Sequence, residues 1–174
     1  MLIAGVICIL GMNKLCFVTV MTTMFIADIH LNPDNAALHE LFGRFITTVA
    51  PAASSLYILG DLFDYWLEDY RDPFNLSVIK LLQGLAVHGT QVYYVRGNRD
   101  VLISQQFAHV TRCILLPDIS TITIAEQTIV LMHGDLLCTL DAAYLKWRAF
   151  VHNRYAKAMF LSLPYPLRRA MVRM

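Results

Sequence analysis

Apolar positions along the chain fall into short β-rich runs that alternate with stretches of helical period, the arrangement of an α/β domain. Thr23 to Ala27 reads as a strand that stops at Asp28. Asn32-Pro33-Asp34 then caps a helix running to about Val49, which Pro51 helps to end. Ser55 to Leu59 is the next strand, ending at Gly60-Asp61, and Phe74 to His88 is a second helix closed by Gly89. Gln91 to Val95 is a third strand, ending at Gly97-Asn98. Ile119 to Ile124 and Thr128 to Met132 form a hairpin about Ala125-Glu126-Gln127, its second strand running into His133. Asp141 to about Phe160 is helical, and Leu163-Pro164 breaks it before a last basic segment to Met174.

Polar residues that can hold a metal stand where four of these strands end: Asp28 with His30, Asp61, Asn98 and His133. In open α/β sheets ligands bind in the crevice at the carboxyl ends of the strands, so residues far apart in sequence are expected to converge there. Alternate residues leaving a strand point to one side, which puts Asp28 and His30 together. The Asp61 carboxylate has two oxygens that can serve two cations, and Gly60 lets the backbone turn tightly before it. Asn98 supplies a neutral amide oxygen and His133 an imidazole nitrogen, a mixture that favours Mn, Fe or Zn over Ca. Each residue also has a plainer reading. Asp61 could cap the turn Leu62 to Tyr65, Asn98 could occupy a turn, and His133 could be a satisfied histidine at a strand end.

Composition adds to this picture. At 174 residues the chain suits one domain. With 57% hydrophobic and 16% charged residues it is neither disordered nor a highly charged nucleic-acid binder. Some of the excess apolarity lies in residues 1–21, where Leu2 to Met12 carry no charge and Lys14 interrupts a second apolar run. That stretch approaches a membrane span without meeting its length or a signal peptide's charge order, and an extension preceding a true start at Met21 or Met24 is the alternative. The net charge of +1 is unevenly spread: the part through Thr139 carries about −5 and the remainder about +6. An acidic body suits metal binding, and a basic tail containing Tyr144, Trp147 and Phe160 suits an anionic surface. Cys8, Cys16, Cys113 and Cys138 are scattered without CxxC spacing and read as buried free thiols of a reducing compartment.

In order, Asp28-x-His30, Gly60-Asp61-x-x-Asp64, Gly97-Asn98-Arg99-Asp100 and His133-Gly134-Asp135 resemble the calcineurin-like metallophosphoesterases, dinuclear hydrolases of phosphate esters and anhydrides. Within that superfamily, the stretches Phe25 to Leu31, Tyr57 to Trp66 and His133 to Thr139, with Tyr144 and Arg148, are similar to the UDP-2,3-diacylglucosamine pyrophosphatases of lipid A synthesis. The resemblance covers roughly residues 22–174. It implies a βαβαβ sandwich core flanked by helices, cut short at its C-terminus, with residues 22–139 as the core and 140–174 as an incomplete basic helical cap. It also implies hydrolysis of UDP-2,3-diacylglucosamine to UMP and 2,3-diacylglucosamine 1-phosphate with two divalent ions, usually Mn²⁺. Asp28 and His30 would bind one ion, Asn98 and His133 the other, and Asp61 both. Asp141 and Tyr144 would lie near a nucleotide-linked glycolipid substrate. The implied place is the cytoplasmic face of a Gram-negative inner membrane, held peripherally, with no nucleic acid and no obligate protein partner.

Arg99 adds chemistry of its own. Many relatives carry histidine after the asparagine, but a guanidinium stays charged and can only clamp phosphate. A phosphate leaving from an anhydride needs little protonation, so Arg99 marks an anhydride substrate; pairing with Asp100 or Asp64 is the plainer role. Two departures accompany the resemblance. Leu140 stands where the family has a second acidic residue beside Asp141. The superfamily's later Gly-His-x-His does not occur, His152 being the last histidine. If the chain is complete as given, each ion lacks one ligand, and weak metal retention with little turnover is expected. The alternatives are an inactive truncated remnant or a phosphoesterase acting on another nucleotide or phosphodiester.

Overall fold

The structure, a computed structural model, describes residues 2–7 and 19–172. Five strands form the main sheet in the order β1 (Leu2–Ile7), β2 (Thr19–Ile26), β3 (Ser55–Leu59), β4 (Gln91–Val95) and β5 (Ile114–Leu115). β1 runs antiparallel to β2, and the other four strands are parallel. A separate antiparallel hairpin pairs β6 (Ile119–Ile124) with β7 (Gln127–Met132). The parallel strands are joined through α1 (Ala36–Arg44), α2 (Pro73–Val87) and α3 (Gln105–Thr111). Three more helices follow: α4 (Ala142–His152), α5 (Arg154–Ser162) and α6 (Tyr165–Val172). This is the α/β architecture with a parallel sheet that the alternating pattern implies.

Register explains the core. Met24, Leu56 and Val92 are aligned across three strands, as are Ile26, Ile58 and Tyr94. This face packs against Phe42 and Ile46 after β2, Val78, Ile79, Leu82 and Leu85 on α2, and Phe107 on α3. The intervening positions put Phe25, Tyr57 and Tyr93 in line on the opposite face, where the rings stack at 5.2 and 4.5 Å. Strands β3 and β4 are continuous apolar runs because both faces are covered at most positions.

Several elements differ from the sequence reading. Asn32 does not cap the first helix; it makes a turn by accepting from the Asp34 amide, and Asn35 caps α1 by accepting from Leu38 N at 3.1 Å. The stretch to Val49 continues as a π-helical turn, Phe45–Val49, before a short 3₁₀ turn containing Pro51. Helix α3 and strand β5 were not anticipated by the apolar pattern. The long helix from Asp141 is broken at Asn153, whose extended backbone ends α4 and whose side chain caps α5. The basic segment after Pro164 is helical as α6. Cys113 is buried, but Cys138 is exposed because it ends a surface 3₁₀ turn, Asp135–Leu137. Cys8, Cys16 and Lys14 lie outside the described residues. Among the described residues no helix is long and apolar enough to cross a membrane.

Candidate active site

The turns that leave β2 and β3 are fastened to each other beyond the ends of the strands. Asp28 N donates to Gly60 O, His30 N to Asp61 O, Leu31 N to Leu62 O, and Asp64 N back to Leu31 O, at 2.8 to 3.2 Å. Asp28, His30 and Asp61 all have left-handed backbones, with φ of 54°, 55° and 52°. Asp and His tolerate this region better than most side chains, and it turns the three side chains inward together. As a result, one ligand atom from each of the three lies within 4.8 Å of the others. Asp61 is 3% exposed.

A third turn is clamped onto this pair by Asp100, which is fully buried. Its carboxylate accepts from Leu62 N at 2.9 Å, from Gly97 N at 2.7 Å and from the Tyr94 hydroxyl. Burial pushes Asp100 above the usual carboxylate range even against these donors. The amide of Arg99 donates to Asp61 Oδ1 at 2.9 Å. So tight an approach requires glycine at position 97: a Cβ there would overlap Asp61 Oδ1 and stand 2.5 Å from Asp61 N. Gly97→Ala is therefore expected to displace the Asp61 carboxylate and to lower affinity for Mn²⁺ by about tenfold or more, read by calorimetric titration. Unchanged affinity would count against the placement of Asp61.

His133 arrives from the end of β7. Its Nδ1 lies 2.9 Å from the Leu59 carbonyl oxygen, which can only accept, so Nδ1 carries a proton and Nε2 is the nitrogen available to a cation when the ring is neutral. Nε2 faces Asn98 Oδ1 at 3.1 Å and Asp61 Oδ2 at 3.7 Å. The close packing behind His133 depends on Gly60, where φ is 88° and a Cβ would come within 2.6 Å of His133 Nδ1.

Five of the residues singled out from the sequence, Asp28, His30, Asp61, Asn98 and His133, thus face one small volume from four turns. Two groups of electron-pair donors meet there with Asp61 common to both. Within the first group, His30 Nδ1 is buried without a hydrogen-bond partner. The arrangement fits a pair of divalent cations, and its oxygen and imidazole donors suit borderline metals. Arg99 lies at the rim, 52% exposed, its Nη1 2.9 Å from Asp64 Oδ1. Of the two plainer partners open to it, the structure selects Asp64.

Asp141 and Tyr144 are placed differently. Asp141 is exposed and caps α4 by accepting from Tyr144 N at 2.8 Å. The Tyr144 hydroxyl donates to Asp135 Oδ2 at 2.8 Å, and burial together with Asp135 pushes it up to about 12, so it remains a donor. Arg148 Nε donates to the same Asp135 oxygen at 2.6 Å. Burial pushes the Asp135 carboxyl up, but the Arg148 and Tyr144 hydrogen bonds outweigh it and hold the group below its ordinary range. Lys157 on α5 donates to the Val101 carbonyl and Arg168 on α6 to the Leu67 carbonyl. Asp100, Asp135 and the Leu59 carbonyl are the supporting groups that sequence reasoning did not assign. Asp100 and Asp135 stand inside the quoted motifs, but nothing in a sequence marks which acidic residue of a motif turns inward.

A family model for calcineurin-like phosphoesterases matches residues 21–160. A UDP-2,3-diacylglucosamine hydrolase of Hamiltonella defensa is 43% identical over 149 residues, 85% of this chain and 58% of that protein. The protein of the same name from Salmonella newport is 40% identical over 150 residues, 86% of this chain and 62% of that protein. Another, from Ralstonia nicotianae, is 44% identical over 142 residues, 80% of this chain and 53% of that protein. The chain therefore spans between 53 and 62% of the length of these curated relatives.

Proposed function

The chain belongs to the calcineurin-like phosphoesterase family, and from that premise we propose that it carries the metal centre of a hydrolase cleaving the pyrophosphate of UDP-2,3-diacylglucosamine to UMP and 2,3-diacylglucosamine 1-phosphate. The observation that supports this reading best is the meeting of the Asp28, His30 and Asp61 group with the Asn98 and His133 group around one shared carboxylate. The printed names of the relatives supply the substrate. In this reading Asp28 and His30 hold one divalent ion, Asn98 and His133 the other, and Asp61 both, with Mn²⁺ as the metal. Two such ions would supply Lewis-acid stabilisation of the phosphoryl oxygens and a nucleophile drawn from water.

The chain's own residues do the rest. Asp61 is held still by the Arg99 amide, so its second oxygen stays aimed at the His133 side. His133 is kept in one tautomer by the Leu59 carbonyl. Arg99 exchanges Asp64 for a substrate phosphate, an inexpensive step because an exposed ion pair of this kind is worth at most about 1 kcal/mol. No general acid is needed at Arg99, since the departing phosphate is stable as an anion. Arg99→Ala is expected to lower turnover by about 10²-fold while leaving Mn²⁺ affinity unchanged. Turnover equal to wild type would remove the phosphate clamp from the mechanism.

Residues 22–139 act as the catalytic core and 140–174 as a cap over the glycolipid. The cap exposes Trp147, Phe150, Tyr155 and Met159 among Lys146 and Arg154, which suits peripheral contact with an anionic membrane on its cytoplasmic face. Retention on anionic but not neutral vesicles measures that contact. The decisive experiment follows UMP release from UDP-2,3-diacylglucosamine with Mn²⁺, with Zn²⁺ and with chelator. Release that requires Mn²⁺ and stops with chelator supports the assignment, and release indifferent to chelator overturns it.

A further inference from the structure

Beyond the residues that face the proposed ions, α4 carries a buried polar clasp that ends on the same turn as His133. Tyr144 and Arg148 lie four residues apart, on one face of the helix, and both donate to Asp135 Oδ2, at 2.8 and 2.6 Å. Arg148 is itself fixed from the other side: its Nη2 donates to Asp118 Oδ2 at 2.9 Å, and His152 Nδ1 lies 3.3 Å from that oxygen. The guanidinium therefore bridges two carboxylates, one just before β6 and one just after β7, and is only 13% exposed.

The other bonds of this turn are local backbone ones, from Leu137 N to Gly134 O and from Cys138 N to Asp135 O. Gly134 has a φ of 107°, and a Cβ built there would meet nothing within 4 Å, so the link between His133 and Asp135 is not packed. The imidazole is anchored at one end by the Leu59 carbonyl, and the turn that carries it is anchored at the other by the Asp135 carboxylate. Cutting the second anchor leaves His133 held by its ring and by β7, whose Met132 pairs with Ile119, with the C-terminal side of the turn released.

We propose that Arg148 is a positioning residue: through Asp135 it holds His133 in place, so that helix α4 of the cap sets the affinity of the cation site that His133 and Asn98 form. The inference rests on reading those residues as ligands. It predicts an asymmetry that general loosening of the fold does not, because the Asp28 and His30 turn is fastened to β3 by backbone bonds that Arg148 does not touch.

Calorimetric titration with Mn²⁺ alone tests it, with no substrate present. His133→Ala first identifies which of two binding events belongs to the His133 site. Arg148→Ala is then expected to weaken that event about tenfold or more while leaving the other within twofold, the range seen when groups that orient metal ligands are removed. Arg148→Lys, which keeps the charge but cannot bridge two carboxylates in a fixed fork, should recover only part of the loss. Should Arg148→Ala not fold, Tyr144→Phe cuts one of the two bonds to Asp135 and is expected to weaken the same event severalfold. Equal affinities in the variants and wild type, or parallel weakening of both events, overturns this inference alone. A wild-type protein from which His133→Ala removes no Mn²⁺ overturns the metal reading and this inference with it.

Discussion

Replacing Asp61 by alanine is expected to abolish the proposed hydrolysis, lowering turnover by at least about 10³-fold, the equivalent of the several kcal/mol that a metal centre supplies to a phosphoryl transition state. The expectation follows from its position. Asp61 stands within 4.8 Å of Asp28 and His30 ligand atoms and also faces His133 Nε2, so among the described residues it is the side chain that joins the two halves of the site. Asp61→Asn separates charge from shape. Asparagine accepts the left-handed backbone found at this position, so the fold is expected to survive while Mn²⁺ affinity falls. Without metal, Asp61→Asn should be at least as heat-stable as wild type, because Asp28 and Asp61 repel each other in the empty protein. Thermal melts with and without Mn²⁺ check both halves: a variant that still gains stability from Mn²⁺ as wild type does would displace Asp61 from the centre.

The largest effect on folding is expected at Asp100. Asp100→Ala leaves the Leu62 and Gly97 amides and the Tyr94 hydroxyl without their acceptor in the interior. Each unsatisfied buried donor costs roughly 1–3 kcal/mol, and the loss of the whole network about 3–5 kcal/mol once relaxation is allowed for. For a chain of this size that corresponds to a fall in Tm on the order of 10 °C. Asp100→Asn is expected to lie between, because its carboxamide accepts on one side and turns N–H groups toward donors on the other. Circular dichroism melts provide the measurement, and a Tm within a degree or two of wild type would show that the clamp contributes nothing.

The sequence was most legible where one short-range rule decided the outcome. β3 and β4 match the reading residue for residue because each is a continuous apolar run between turn-forming residues. Candidate ligands were legible for the same reason, since each follows a strand whose end can be read. The run Asn32-Pro33-Asp34 reads as the helix cap, yet Asn32 Oδ1 is taken by the Asp34 amide, and Asn35, one turn later, has the right offset to Leu38. α3 has seven residues and β5 two, too short for a period to emerge. The break at Asn153 is a local backbone choice inside an otherwise helical stretch. Asp100 to Leu62, Arg148 to Asp135 and His133 to Leu59 are meetings made by tertiary packing, and no spacing along the chain encodes them.

The four backbone bonds that fasten the β2 turn to the β3 turn make the ligand cradle a continuation of the sheet rather than a loop resting on it. A chelator built this way is preorganised. It gives up little conformational freedom when an ion enters, so affinity there is governed by electrostatics and ligand geometry more than by ordering. It also cannot relax around an ion of the wrong radius without unpicking strand-like pairing, which turns the rigidity of the scaffold into a means of choosing among metals.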